Sequence, residues 1–398
     1  MQAVLAGHAW DRAAALVALQ RFILARLGDR GAIVVLDETA ELKKGDPVGV
    51  ARQHAGITGQ VENCQTVVFA AYVTARAHTL FDFRLYLPKQ WCEDKRRRER
   101  AHVPDDVAFA AKPALGTAMI TAAADVGAPF GWVVAGEVYG RSGKLREACQ
   151  KGKKGYVVAV PVNFTVTLPS GRKTAVAAAA RLVPATAWET RSCGRGCKGH
   201  RDYAWAWAAT TSPRHWVLLR RSRTGPSDLA FFYCHAPQGR PVTLPGLVTV
   251  AGKRWPVEEC HQQGKGQTGL DQHQVRTWHS FCRHTVLSMC AEALLAIAAA
   301  RPAPSAVESP RPRRQLAARG LARHGQAAWR RRRLATGRRP RPGQGQRARG
   351  PPPPPAGHHA DEPRRPRPRL RLVTMAATPP GPRPMAPLPR PAQSRRAT

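Results

Sequence analysis

The spacing of apolar and polar positions changes several times along the first 300 residues, and each change marks an element. Continuous or alternating apolar runs predict strands over residues 32–37, 65–74, 79–87, 131–135 and 156–163. Between the later ones, apolar positions recurring every third and fourth residue predict helices over 113–126 and 143–153. A second group of strands is predicted at 165–168, 203–210, 215–220 and 229–235, followed by two closing helices, 256–264 and 274–300. Three neighbouring strands followed by alternating helix and strand is the order of a mixed α/β sheet flanked by helices. The extra strands form a β-rich insertion ahead of the final helices, and no internal repeat is visible.

Composition breaks at residue 301. From there to Thr398 the chain holds 24 Arg, 21 Pro, no Lys and three acidic residues, including the run from Pro351 to Pro355. Such a segment lacks the apolar content for a core, so a disordered Arg/Pro-rich tail is expected. It reads either as an arginine-rich nucleic-acid arm or as the out-of-frame end of a GC-rich gene.

Charge narrows the partner. The whole chain carries 63 Lys and Arg against 26 Asp and Glu, a formal net charge of +37. The part before residue 301 is basic in its own right, with 39 basic and 23 acidic residues. A surplus of this size favours a polyanion held through phosphate, with nucleic acid ahead of an anionic membrane surface. Nine cysteines at irregular spacing argue against a secreted disulfide scaffold. Neither a signal peptide nor a membrane span is evident, since the most apolar late stretch contains Glu292. A cytoplasmic, nucleoid-associated protein without a membrane partner is therefore expected.

Two segments carry candidate chemistry. In AIVVLDETAELKKG an apolar strand delivers Asp37, followed by Glu38, Thr39, Lys43 and Lys44. A carboxylate at the end of a buried strand is a natural metal ligand, because the strand is rigid and the adjoining loop is open. Taken alone, Asp37 also reads as a residue capping the next turn. In AGKRWPVEECHQQGKGQ, Pro256 suits the first turn of a helix, which places Arg254 just ahead of it and Glu258 within that turn. Lys265 follows about two turns later on the same face, at roughly 3.6 residues per turn. An Arg, a carboxylate and a Lys suit a phosphodiester site; ordinary charges on a solvated helix are the alternative.

These residues resemble the Tyr-Arg-Glu-Lys signature of bacterial insertion-sequence DDE transposases. Arg254, Glu258 and Lys265 match it, whereas Ala251 stands where that family has Tyr. The wording of VLDETAELKKG, GVARQHAGITGQVENCQ, LYLPKQW and KRWPVEECHQQGKGQTGLDQHQVR is similar to the same family, over about Trp10 to Pro302. The resemblance implies a ribonuclease-H-like catalytic domain with a β-rich insertion between the second and third carboxylates. It also implies two divalent ions, Mg²⁺ or Mn²⁺, about 3.5–4 Å apart, bound by the acidic residues during phosphodiester hydrolysis and strand transfer. Asp37 and Glu258 take the first and third metal-binding, catalytic positions. Arg254 and Lys265, with Lys43 and Lys44, are the expected DNA contacts. The implied partner is double-stranded DNA at transposon ends, with a homodimer left open.

The second carboxylate is the departure. The resemblance places it at the end of the strand in GWVVAGEVYG, where Gly136 stands, followed by Glu137. Glycine offers no ligand oxygen, and a one-residue shift along a strand turns a side chain to the opposite face. Glu137 remains the substitute to test. The expected consequence is DNA binding with impaired strand cutting, and in the limit a catalytically dead DNA-binding relic. The organisation expected is a remnant helical N-terminal region over 1–30, a catalytic core over 31–163 and 251–302, an insertion over 164–250 and the tail over 303–398. The short leading segment, Gly136 and the tail together suggest a truncated, degenerate copy.

Other constellations are weaker. Cys193, Cys197 and His200 have zinc-like spacing but lack a second ligand pair, and a turn built on Gly194, Gly196 and Gly199 is the commoner explanation. Trp205, Trp207 and Trp216 read as one buried sheet face or as a stacking surface for bases. Asp82, Glu93 and Asp94 read as surface or capping residues, and His54 and His78 as structural.

Overall fold

The computed structural model describes residues 4–5, 10–56, 58–196, 199–225 and 228–300; the expected disordered tail lies outside the described residues. The chain begins with helix α1 (Arg12–Leu27), whose Asp11 cap accepts hydrogen bonds from the backbone N–H of Ala13 and Ala14. Leu19, Ile23 and Leu27 recur at four-residue spacing and give α1 its buried stripe. Strands β1 (Ile33–Leu42), β2 (Ala51–Ala55), β3 (Gln60–Val73) and β4 (His78–Leu85) follow. Helices α2 (Lys89–Glu93), α3 (Lys95–Arg100) and α4 (Lys112–Asp125) lead to β5 (Trp132–Ala135), α5 (Glu137–Gly140), α6 (Gly143–Lys151) and β6 (Gly155–Val160). The β-rich stretch holds β7 (Thr165–Thr167), β8 (Lys173–Ala175), α7 (Val176–Ala180), β9 (Glu189–Gly196), β10 (Gly199–Ala209), β11 (His215–Arg221) and β12 (Leu229–His235). Helices α8 (Leu244–Gly252), α9 (Trp255–Gln267) and α10 (Trp278–Ala299) close the described part.

The expected mixed α/β sheet is present, with β1 flanked by β3 and β5. Strand β1 pairs antiparallel with β3 and parallel with β5, and β5 pairs parallel with β6. Along the sheet the order is β2-β3-β1-β5-β6-β12-β11-β10-β9, with β4 also on β3. Parallel neighbours buried on both faces explain the unbroken apolar runs of β1 and β5. Helices α4, α5 and α6 cover one face, and α1, α9 and α10 the other.

Within the β-rich insertion β7 and β8 pair as a small separate sheet, but β9 to β12 do not form a sheet of their own. The insertion's last strand, β12, pairs antiparallel with β6, from Phe231↔Val160 to His235↔Tyr156, so the insertion continues the central sheet. One side of this extension joins the main core through Trp205, Leu218 and Phe232, while a smaller core of Val166, Val176, Ala206 and Leu219 packs the other. Trp205 is buried, and Tyr203, Trp207 and Trp216 pack against the main core, as expected of one inward sheet face.

The departures from the sequence reading include α8, β2 and β9, whereas α10 matches the closing helix expected over 274–300. Helix α8 occupies LPGLVTVAG, inside the expected insertion, because Thr243 caps the N–H of Gly246 and Pro245 suits a first turn. Its Val-Thr-Val run masks the helix by strand propensity. Strands β2 and β9, both at sheet edges, carry Arg, Gln, Thr and Ser rather than an apolar pattern. Helix α10 is long and apolar enough to span a membrane by length and composition, yet half of its most apolar window is buried in the protein. It packs against α1, α9 and β4.

Gly140, the last residue of α5, is required for the approach of that short helix to β6. A Cβ there would lie 1.8 Å from the carbonyl oxygen of Ala159, a backbone atom that cannot yield without moving the strand. Gly140→Ala is therefore expected to cost roughly 1–3 kcal/mol or more. A thermal melt at the wild-type temperature would show that α5 does not lie this close.

Candidate active site

Successive side chains on β1 point to opposite faces of the sheet, and this alternation sorts the charged residues of the segment. Asp37, Thr39 and Glu41 face α9 and the connection from α9 to α10, whereas Glu38 faces α4 and α5. On the first face, Arg254 Nη2 donates to Asp37 Oδ2 at 3.0 Å and lies 3.8 Å from Glu258 Oε1. Two positions along, Lys265 Nζ donates to Thr39 Oγ1 at 2.8 Å. On the opposite face, Glu38 accepts from Lys112 Nζ at 3.0 Å and from the Tyr139 hydroxyl at 2.7 Å. The helix expected from Pro256 is α9, and Arg254 stands at its N-cap position, so the spacing of Arg254, Glu258 and Lys265 does place all three toward β1.

A cavity of about 640 Å³ opens at this point, lined among others by Asp37, Thr39, Lys112, Arg254, Glu258 and Lys265. It lies where the parallel pairing of β1 and β5 stops: the last partners are Leu36↔Ala135, so the next step sets Asp37 beside Gly136. Crevices outside the carboxyl ends of parallel strands are the usual ligand sites of open α/β sheets. Asp37 is 8 % exposed. Burial pushes its carboxyl up to about 6 against the pull of Arg254, and Glu258 and Glu38 add to the rise. His261, buried on α9 three residues after Glu258, also lines the cavity. Burial, with Lys265 and Arg254 nearby, lowers it to about 4, so it is neutral at pH 7.

The remaining expected residues separate. Gly136 does not itself line the cavity but faces Arg254: a Cβ there would meet only that residue, at 3.7 Å from Nη2 and 3.8 Å from Nε. Its φ of −70° and ψ of 177° suit any residue. Glu137, the substitute acid, pairs with Arg141 one turn along α5 and is not among the cavity residues. Lys43 was an expected DNA contact, but its ammonium donates to the carbonyls of Asp271 and His273 at 3.0 and 3.2 Å and lies 3.4 Å from Glu41. With its side chain 13 % exposed, Lys43 braces β1 against the α9–α10 connection rather than facing solvent. Lys44 is exposed. Asp82, expected at the surface, is buried beside Arg84, with burial raising its carboxyl. Asp94 does cap α3, and His78 pairs with Glu259 at 3.3 Å.

The sequence reading missed Lys112, Tyr139 and His261 as cavity or near-cavity groups. Strand alternation was the available signal: it requires Glu38 to find partners on the face opposite Asp37, though not which ones.

The residues present do not fit the pair of divalent ions implied by the resemblance. Asp37 and Glu258 share one guanidinium, position 136 supplies no oxygen, and Glu137 is turned to Arg141. Among the described residues, no group of three or more His, Cys, Asp or Glu is placed to hold a metal ion.

Asp37 gives a test of this geometry that needs no ligand. Because its folded pKa lies above the usual value of 3.8, the folded state binds the proton more tightly. The stability this contributes is full below about pH 4 and is lost as pH rises through about 6. Asp37→Asn is thus expected to unfold later than wild type at pH 7 by about 2–3 kcal/mol, with the difference closing toward pH 4. Denaturant melts across that range that ran parallel would contradict the burial of the carboxylate.

Comparison with known protein families agrees with the DDE part of the sequence resemblance. A family profile described as "DDE superfamily endonuclease" matches residues 1–214, which include Asp37 and Gly136 but stop short of α9. No curated protein matches. Among solved structures, the chain is similar to a piggyBac transposase synaptic complex with hairpin DNA, at 12 % identity and a TM-score of 0.34 over 67 % of this chain. The match covers 47 % of that transposase, so the chain spans about half its length.

Proposed function

Since the chain belongs to the DDE superfamily endonuclease family, matched over more than half its length, we propose that it is a transposase-type protein that binds double-stranded DNA at transposon ends and is impaired in strand cutting. The observation that carries this reading is the register of β1 against β5, which sets glycine at position 136 beside Asp37. Asp37 and Glu258 hold the first and third acidic positions, and no carboxylate comes from the strand between them. Arg254 and Lys265 line the cavity with positive groups suited to phosphate, and exposed Lys44 lies on the segment that follows β1. The basic surplus of the chain supports the same partner.

Within the cavity the chain's own residues do three things. Arg254 orients the Asp37 carboxylate, Lys265 fixes Thr39, and the pairing of Lys112 and Tyr139 with Glu38 holds the neighbouring carboxylate away from Asp37. A divalent ion, where the family's full acidic set exists, supplies Lewis-acid activation of water or of a DNA 3′-hydroxyl. Binding without efficient cleavage is the consequence of the missing oxygen, and a catalytically dead DNA-binding relic is its limit.

Reconstruction tests the reading, because a Cβ at 136 would meet only the Arg254 guanidinium, at an ordinary contact distance of 3.7 Å. In Mg²⁺ or Mn²⁺, Gly136→Asp is expected to nick plasmid DNA carrying the sequences that flank the gene. The wild-type chain should stay slower by about a hundredfold or more, roughly 3 kcal/mol of barrier. Adding Asp37→Asn to Gly136→Asp should abolish the gain. Equal, robust nicking by wild type and Gly136→Asp would sink the proposal. Binding has its own check: Lys265→Ala should weaken duplex affinity and reduce the log–log salt slope by about 0.9, the value for one phosphate contact. An unchanged slope removes Lys265 from the interface.

A further inference from the structure

We propose that the Arg254 guanidinium serves as the fixed cation of this cavity, standing where a metal ion would neutralise the carboxylates, so that the protein engages DNA without a divalent ion. The part concerning DNA rests on the reading above; the part concerning Arg254 stands on geometry alone.

Three observations converge. First, the guanidinium lies between two of the cavity's acids, 3.0 Å from Asp37 Oδ2 and 3.8 Å from Glu258 Oε1. A planar, permanently charged group suits this bridging role better than an ammonium. Second, it covers the open side of Gly136, where an added Cβ would touch Arg254 and nothing else within 4 Å. A carboxylate at 136 would project into the room the guanidinium now occupies. Arg254 Nε is buried there without a partner among the described residues, as expected of a donor whose neighbour lacks a side chain. Third, the cavity is already neutral. Its carboxylates are Asp37, Glu38 and Glu258, and its cations are Lys112, Arg254 and Lys265, with Glu38 satisfied by Lys112. Two divalent ions would bring four positive charges into a site with no unmatched negative charge to offset them.

A metal ion must therefore bind the population in which Arg254 has swung away, and its apparent affinity falls by that fraction. Removing the guanidinium should free Asp37 and Glu258 together. Mn²⁺ binding to the full chain, followed by the electron paramagnetic resonance signal of the free ion without DNA, reads this directly. The wild-type chain should bind weakly, and Arg254→Gln about tenfold or more tightly, if the released state is about a tenth of the population. Arg254→Lys, which keeps the charge, should stay near wild type. An Arg254→Gln affinity equal to or weaker than wild type overturns the proposal. Should Arg254→Gln fail to fold, Gly136→Asp decides in its place: the new carboxylate competes for the guanidinium and should also raise Mn²⁺ affinity, and an unchanged value counts against the proposal. In parallel, duplex DNA affinity of the wild-type chain should be the same in EDTA and in Mg²⁺ at matched ionic strength. Binding that requires Mg²⁺ overturns the metal-free part. Failure to bind duplex in both conditions instead overturns the DNA-binding reading, and leaves the Mn²⁺ series to judge Arg254.

Discussion

A carboxylate taken out of water must be paired or lose its charge, and the site is arranged around that constraint at Asp37. The residue sits on a strand whose preceding four positions are buried apolar side chains, so its own burial follows from its neighbours in sequence. Opposite it the chain supplies one guanidinium. Arg254 can reach it because α8 ends and α9 begins within three residues, with Pro256 opening the second helix and Arg254 at the junction. The position of α9 against β1, and with it the placement of Glu258 and Lys265, is the condition for Asp37 to be tolerated in the core.

The same rule recurs elsewhere in the interior. Glu41 is buried against His273 and Lys43; burial alone would raise it, but these two partners hold it below its ordinary value. Glu292, deep in α10, accepts from the backbone N–H of Leu80 at 3.3 Å, where the pairing of β3 with β4 shifts register. Burial pushes Glu292 up to about 8, so it resides in the core as a neutral acid. A polar group that looked out of place in an apolar helix thus repairs a bulge in an edge strand, and α10 belongs to the protein interior.

Much of this was legible in the sequence where one physical signal acted alone. The unbroken apolar runs of β1, β5 and β6 announce buried parallel strands, and Pro256 followed by Glu258 announces α9. Legibility failed where signals competed or where the cause lay far away in the chain. The β-branched run hid α8, whose evidence was its cap at Thr243 and Pro245. Lys43 has the same local wording as Lys44, and only the arrival of the 271–273 carbonyls, more than two hundred residues later, separates a brace from a solvent-facing cation. Asp82 similarly gives no local hint that it will be buried beside a half-exposed Arg84.

The hydrogen-bonded seam between β6 and β12 has a mechanical consequence. Because β5, β6 and β12 are successive rungs of one ladder, the outlying strands cannot pivot against the crevice as a hinged flap would. A long rigid substrate touching both regions would meet a caliper of constant span, and any misfit would have to be absorbed by bending the substrate.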